Sequence, residues 1–199
     1  MKRYAFLDTE GNPVYSATPA IDDAYVDGQM YGEHLCKELP LDAFDDMTVL
    51  ATYYYKDGWK TRAARPGAYY NWNNKTEKWV PNLELARTTK NSIIDNAHLA
   101  ANQTSFTFNG RQIALTPLSR SNIDAVNSYV LLFNQLPDNW VGSWKSVNNA
   151  NVPIANIDAW KRFYKAMVNH IHASIVKSNQ LKTALAAATT IGEIEAIGW

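Results

Sequence analysis

The stretch SFTFNGRQIALTPLSRSNIDAV, residues 105–126, joins a predicted β-hairpin directly to a predicted helix. Apolar residues alternate with polar ones on both sides of Asn109-Gly110, a dipeptide that tolerates the positive φ angles of a type I′ turn. After the turn, the apolar period changes to that of a helix running from about Pro117 to Leu136. The sequence therefore predicts one packed hairpin–helix unit, with Ser121 as the helix cap.

The rest of the C-terminal part is also predicted to be mainly helical. Residues 82–102 have apolar side chains in approximate helical register, and a loop or short hairpin around Asn148-Asn149 follows the second helix. Asn156 can cap a long helix that Ser178-Asn179 ends, and Thr190 and Glu193 have the spacing of a capping box. The spacing places Leu83, Ala86, Ile93, Ala97 and Ala101 in approximate helical register on the first of these helices. On the long one, Ile157, Trp160, Tyr164, Met167, Ile171 and Ile175 share one stripe, of which Trp160, Tyr164, Met167 and Ile171 are predicted to be buried.

The first eighty residues have the period-two pattern of strands. A strand over residues 4–8 precedes a turn, residues 47–55 (MTVLATYYY) read as a second strand, and residues 70–80 read as an aromatic hairpin. The period changes near Pro81. We therefore predict an α+β chain with a β-rich N-terminal part, residues 1–80, followed by a small helical domain, residues 81–199, that contains a β-hairpin.

Composition excludes several classes of protein. The chain has 199 residues, 46 % of them hydrophobic, and 19 basic residues balance 19 acidic ones. A neutral chain has no net field to attract nucleic acid, and no apolar run approaches the roughly 20 residues that span a bilayer. The single cysteine excludes a disulfide framework. Because the first residues lack the apolar stretch of a signal peptide, we expect synthesis in a cytoplasm.

Candidate catalytic and metal-binding groups are sparse. Asp22-Asp23 and Asp45-Asp46 are adjacent carboxylates without a nearby histidine, and neighbouring residues point in different directions. On a helix, His170 and His172 would face opposite sides, whereas a helical metal site needs spacings of three or four residues. No phosphate-binding loop, dinucleotide fingerprint, nucleophile elbow or zinc-protease motif is present. We expect no enzyme activity, no metal and no cofactor.

Aromatic residues form the candidate interaction site. Tyrosine, tryptophan and arginine are the residue types that dominate interface energetics, and they cluster in the N-terminal part. A second interpretation, with at least equal weight, is that all of these rings fill the N-terminal core. The candidate interface consists of Tyr53, Tyr55, Trp59, Tyr69 and Trp72, with Arg62 and Arg65 at its rim.

Four motifs together resemble the family DUF4376, a small domain of uncharacterised function. They are FTFNGRQIALTPLSRSNI at 106–123, WVGSW at 140–144, IDAWKRFYKAMVNHI at 157–171 and LAAATTIGEIEAIGW at 185–199. The resemblance extends over about residues 82–199. It implies a protein of bacteriophage or prophage tails, and it supplies no catalytic residues.

Three functions follow as hypotheses. The first is a virion structural protein of the distal tail, a baseplate component or tail-fibre adaptor made in the host cytoplasm and docked to other tail proteins. The second is a tail-fibre assembly chaperone absent from the mature virion. The third is a wall-degrading or sugar-cleaving enzyme, which would need two carboxylates about 5–9.5 Å apart in an aromatic cleft. Partners are expected to be fibre or baseplate subunits, not nucleic acid or membrane, and self-association within the assembly is left open.

Overall fold

The computed structural model describes residues 2–21, 24–40 and 46–199. The chain folds into two compact units, Met1–Asn82 and Leu83–Trp199. Mixed helices and small antiparallel sheets make the protein α+β, as predicted. The carboxylates of the adjacent pairs Asp22-Asp23 and Asp45-Asp46 lie outside what the structure describes.

The first unit is built on a four-stranded antiparallel sheet with the order β2-β1-β4-β3. Every residue of the central strand β1 is buried, because both faces of the sheet are covered. Ala5 and Leu7 pack against Leu39 and Val49, whereas Tyr4 and Phe6 pack on the other side with Cys36. The strands are β1 (Tyr4–Leu7), β2 (Pro13–Ala17), β3 (Met30–Tyr31) and β4 (His34–Glu38).

The predicted strand over residues 47–55 was wrong. This stretch forms a short helix, α1 (Asp46–Thr52), followed by strand β5 (Tyr53–Tyr55). Val49 of the helix is fully buried against the sheet. A seven-residue helix rich in β-branched residues is stabilised by burial and not by its intrinsic propensity.

Two further hairpins complete the first unit. Strand β5 pairs with β6 (Trp59–Thr61), and β7 (Tyr70–Asn73) pairs with β8 (Lys78–Pro81). The second pair confirms the predicted aromatic hairpin. Trp72 lies directly opposite Trp79, and their ring centroids are 5.3 Å apart in an edge-to-face arrangement.

The second unit consists of four helices and two hairpins. Its long helices α2 and α4 pack along each other, and α5 contacts α2. The elements in chain order are α2 (Leu83–Gln103), β9 (Ser105–Phe108), β10 (Arg111–Ala114), α3 (Pro117–Phe133), β11 (Ser143–Lys145), β12 (Asn151–Pro153), α4 (Ile157–Ala187) and α5 (Ile191–Ala196).

The hairpin β9–β10 forms at the predicted turn. Asn109 and Gly110 have φ angles of 47° and 71°, as a type I′ turn requires. The apolar side chains of both strands enter the core of the second unit. The predicted cap of α3 was wrong, since Thr116 and not Ser121 accepts the bond, from the backbone N–H of Ser119 at 3.2 Å. Pro117 at the first helical position favours that earlier start.

Helix α4 provides the core of the second unit and is longer than predicted. Asn156 caps it as predicted, but it continues through Ser178 to Ala187. Its buried side changes from Trp160, Phe163 and Met167 to the serines Ser174 and Ser178. The predicted burial is confirmed for Trp160 and Met167, and Tyr164 and Ile171 are partly buried against the same core. Ile175, at the end of the stripe, is 40 % exposed.

The burial of α4 and α2 differs from the sequence pattern at two buried serines of α4 and at one isoleucine of α2. The Ser174 hydroxyl donates to Asn102 Oδ1 at 2.6 Å, so this buried polar group is satisfied by α2. On α2, Ile94 is buried, whereas Ile93, which the sequence placed in helical register with Ala86, is 51 % exposed. Serine is small enough to let two helices approach closely, and here its hydroxyl does not end the helix.

The predicted capping box at the start of α5 is confirmed. Glu193 N–H donates to Thr190 Oγ1 at 3.2 Å, and Glu193 Oε2 accepts from the Thr190 N–H at 3.2 Å. The same oxygen accepts from the Thr189 N–H at 2.6 Å. The Thr189 N–H and hydroxyl, followed by the Thr190 N–H, lower the pKa of Glu193 below its ordinary value.

This lowered pKa predicts a stabilisation that disappears in acid. It is fully present above the ordinary glutamate pKa and is lost as the pH falls through the lower pKa of the folded state. The melting temperature of Glu193→Gln should therefore lie below that of the wild type at pH 6, and the difference should shrink towards pH 3. Glu195→Gln removes another exposed carboxylate from the same helix and is the matched control; its melting temperature should stay close to that of the wild type. An equal difference at both pH values would contradict the prediction.

Candidate docking surfaces

Three rings of the candidate interface form one cluster within the first unit. Tyr53, Tyr55 and Trp59 are partly buried and pack against the core formed by Ala5, Leu7, Leu39 and Val49. The Trp59 ring lies edge-to-face between the tyrosines, with centroids 6.3 Å from Tyr53 and 5.5 Å from Tyr55. Its indole N–H donates to the Glu38 carbonyl at 2.6 Å. Each of these contacts is internal to the unit.

Arg62, predicted at the rim, extends into the first unit. Its two terminal nitrogens donate to the Leu50 carbonyl at 2.6 Å and to Asn12 Oδ1 at 3.0 Å. Burial lowers the pKa of the guanidinium, while Asp8 acts in the opposite direction. Arginine nevertheless remains charged in proteins. The residue joins the turn before β2 to helix α1.

The remaining candidate residues lie around the hairpin β7–β8. Trp72 contacts Tyr54, with ring centroids 5.1 Å apart. Arg65 is exposed, stacks over Trp79 at 5.5 Å and donates to the Tyr70 carbonyl at 2.8 Å. Tyr69 is partly buried, and its carbonyl accepts from the Asn82 N–H at 2.8 Å.

The candidate residues thus occupy two separate clusters, one on the sheet and one on the hairpin β7–β8. The residue that sequence reasoning omitted is Tyr54, which is 3 % exposed and contacts the second cluster. Successive side chains of a strand point to opposite faces, so the run Tyr53, Tyr54 and Tyr55 in the sequence indicated that Tyr54 faces away from its two neighbours. That these rings bind a partner stays a prediction.

Alanine substitution of Arg62 is expected to destabilise the first unit by about 1.5–3 kcal/mol, because it leaves the Leu50 carbonyl without its charged donor. Arg65→Ala is the matched control and should cost less, since the bonds of Arg65 are exposed to water. Urea unfolding followed by circular dichroism measures both variants. Equal stabilities for Arg62→Ala and the wild type would mean that Arg62 is free for a partner.

The second unit carries an open groove beside the hairpin β11–β12. Trp140 and Trp144 lie in it with their ring planes inclined by 29° and their ring centroids 6.2 Å apart. The Trp140 indole donates to the Ile154 carbonyl at 2.7 Å, which fixes that ring. Val141 is 81 % exposed and Val147 is 59 % exposed. The groove is lined by Ala114, Ser119, Trp140, Val141, Ser143, Trp144, Lys145, Ser146 and Val147.

The structure also shows the surroundings of the cysteine and of the residues that could bind a metal. Burial raises the pKa of the Cys36 thiol, which makes it a poor nucleophile. In the part of the chain that the structure describes, no three His, Cys, Asp or Glu side chains are grouped so that they could hold a metal ion. Among the described helices, none combines the length and the apolar character needed to cross a membrane.

Comparison with known proteins identifies the C-terminal unit. The family described as "Domain of unknown function (DUF4376)" matches residues 85–198, which agrees with the resemblance of the four motifs. No curated protein and no solved structure matches the chain. The family match covers more than half of the sequence and coincides with the second compact unit. The chain therefore belongs to the DUF4376 family.

Proposed function

We propose that this chain is a structural component of the distal tail of a bacteriophage, a baseplate or tail-fibre adaptor that acts by docking to other tail proteins and not by catalysis. The resemblance of the four motifs to a domain of tail proteins carries the proposal, and the family match over residues 85–198 supports that resemblance. The proposed place of the protein is the virion, after synthesis in the host cytoplasm.

The groove beside β11–β12 supports docking to a protein. Tryptophan is enriched among the residues that contribute most to interfaces, and Trp140 is already held in place by its bond to Ile154. Lys145 is the charged residue among those that line the groove. An apolar segment of a neighbouring tail protein, with an acidic group near Lys145, therefore fits this surface.

Mass spectrometry of purified particles tests the proposal. Gradient-purified virions of a phage that encodes this chain should contain its peptides in a fixed ratio to other tail proteins. The same measurement on the infected-cell lysate is the control for expression. Peptides present in the lysate but absent from virions would overturn the structural role and favour the alternative, a tail-fibre assembly chaperone.

A further inference from the structure

A cavity of about 430 Å³ in the first unit is lined by two arginines, Arg62 and Arg65. Leu50, Ala63 and the Trp79 ring are among the residues that form its walls. None of the described residues that line the cavity is acidic. Positive charge beside apolar walls suits a ligand that joins an anionic group to a short apolar stem.

The guanidinium of Arg65 is held in place by the fold. Its Nε and Nη2 donate to the Tyr70 carbonyl at 3.1 and 2.8 Å. The group also lies over the Trp79 ring, 5.5 Å from its centroid. The Trp79 ring is fixed in turn, because its indole N–H donates to the Ala63 carbonyl at 2.8 Å. A group that is already ordered loses less entropy when it binds a ligand.

The charges around the cavity do not balance. Arg62 donates to Asn12 Oδ1 at 3.0 Å, and Asn12 Nδ2 donates to Asp8 Oδ2 at 3.0 Å, so Asp8 offsets part of the charge of Arg62. Among the residues that the structure describes, no carboxylate is bonded to Arg65. Two cations and one neighbouring anion leave an excess positive charge that a monovalent carboxylate would neutralise. A phosphate group, with a charge of about −1.5 to −2, would exceed it.

Both guanidinium groups retain N–H donors for an additional acceptor. Within the described part of the chain, Nη1 of Arg65 donates to no residue, and the buried Nε of Arg62 has no hydrogen-bond partner. Buried donors without a partner are rare in folded proteins. The planar fork of a guanidinium matches the two oxygens of a carboxylate, which makes this the acceptor that arginine pairs with best.

We propose that this cavity binds a carboxylate group on a short apolar stem, supplied by a small organic acid or by a glutamate side chain. Arg62 and Arg65 would bind the carboxylate, and Leu50 and Trp79 would contact the stem. This inference rests on the first unit and is independent of the proposed tail function. A ligand of this size makes few contacts, so we expect a dissociation constant in the millimolar range.

Nuclear magnetic resonance titration of the full chain tests the proposal. The probe is N-acetylglutamate α-amide, which carries the carboxylate of a glutamate side chain, and the corresponding glutamine compound is the uncharged control. At constant ionic strength, the glutamate probe should shift the resonances of the Trp79 indole N–H and the Arg65 Nε–H until they saturate. The glutamine probe should leave both in place. No saturable shift up to about 50 mM glutamate probe, or equal shifts with both probes, overturns the proposal.

Variants of Arg65 test its role in the cavity. Arg65→Ala should weaken binding of the glutamate probe by about tenfold or more, and Arg65→Lys, which keeps the charge without the planar fork, should lie between it and the wild type. Arg111→Ala removes another exposed arginine, in the second unit, and is the matched control with unchanged affinity. All three should keep a cooperative melting transition. Wild-type affinity in Arg65→Ala, or an equal loss in Arg111→Ala, contradicts the assignment.

The source of the carboxylate is distinguished with a second ligand. Butyrate is a free monovalent acid with an apolar stem and lacks the amide groups of a peptide. Tighter binding of butyrate than of the glutamate probe would identify the ligand as a small organic acid. Tighter binding of the glutamate probe would identify it as a side chain of a docked protein. The Trp79 indole resonance reports both titrations.

Discussion

Replacing Trp160 by alanine should lower the free energy of unfolding of the second unit by about 3–5 kcal/mol. The Trp160 side chain is completely buried. Its ring centroid lies within 6 Å of Trp140 at 5.6 Å, Trp144 at 5.8 Å and Phe163 at 5.4 Å. Removing it leaves a cavity at the point where α4 meets the hairpin β11–β12. Domains of this size typically have only about 5–15 kcal/mol of stability, so most of that of the second unit would be lost.

Hydrogen exchange with mass spectrometry on peptides from residues 83–199 measures this change separately from the first unit. Trp160→Phe is the matched control. The indole N–H of Trp160 has no hydrogen-bond partner among the described residues, so phenylalanine removes an unsatisfied donor while it retains most of the ring. Its cost should be well below that of alanine. Equal protection in Trp160→Ala and the wild type would contradict the assigned core.

Gly11→Ala should destabilise the first unit by about 2–4 kcal/mol, by combining backbone strain with a steric clash. Gly11 has a φ angle of 84°, and a Cβ atom there would overlap the Tyr55 carbonyl oxygen. The close approach is fixed by a hydrogen bond from the Tyr55 N–H to the Gly11 carbonyl at 2.9 Å. Relief of the clash would therefore separate the turn before β2 from β5.

Gly32→Ala separates strain from the clash. Gly32 also has a left-handed φ angle, 63°, but no atom lies within 4 Å of the position of its Cβ. It should therefore cost only about 1 kcal/mol, the penalty for the backbone conformation alone. Chemical denaturation of both variants gives the comparison. If the two substitutions cost the same, the turn at Gly11 does not lie against β5.

The sequence predicted correctly those turns and helix caps that depend only on neighbouring residues. The turn at Asn109-Gly110 and the caps Asn156 and Thr190 depend on residues within a few positions, and all of them formed as predicted. Strand β5 and helix α1 are different. The run MTVLATYYY has the residues of a strand, whereas the burial of Val49 against the sheet and the bond from Arg62 to the Leu50 carbonyl favour a helix. Periodicity alone does not distinguish these possibilities in a short apolar run.

The candidate interface shows the same limit. The aromatic content of the first unit was evident from the sequence, but the partner of each polar group was not. Trp59 donates to a carbonyl 21 residues away, and Arg62 donates to the side chain of Asn12, 50 residues away. Such pairs are set by the folded chain.

The bonds between α2 and the C-terminal segment have a consequence for the order of folding. Arg87 donates to the Ala188 carbonyl at 2.6 Å, and Lys90 donates to the Ile197 carbonyl at 2.9 Å. These contacts close loops of 101 and 107 residues, whereas the hairpin β9–β10 closes within a few. Long loops cost more entropy to close and slow the formation of the contacts that close them. During synthesis, we therefore expect α2 to complete its packing only after almost the whole unit has been translated.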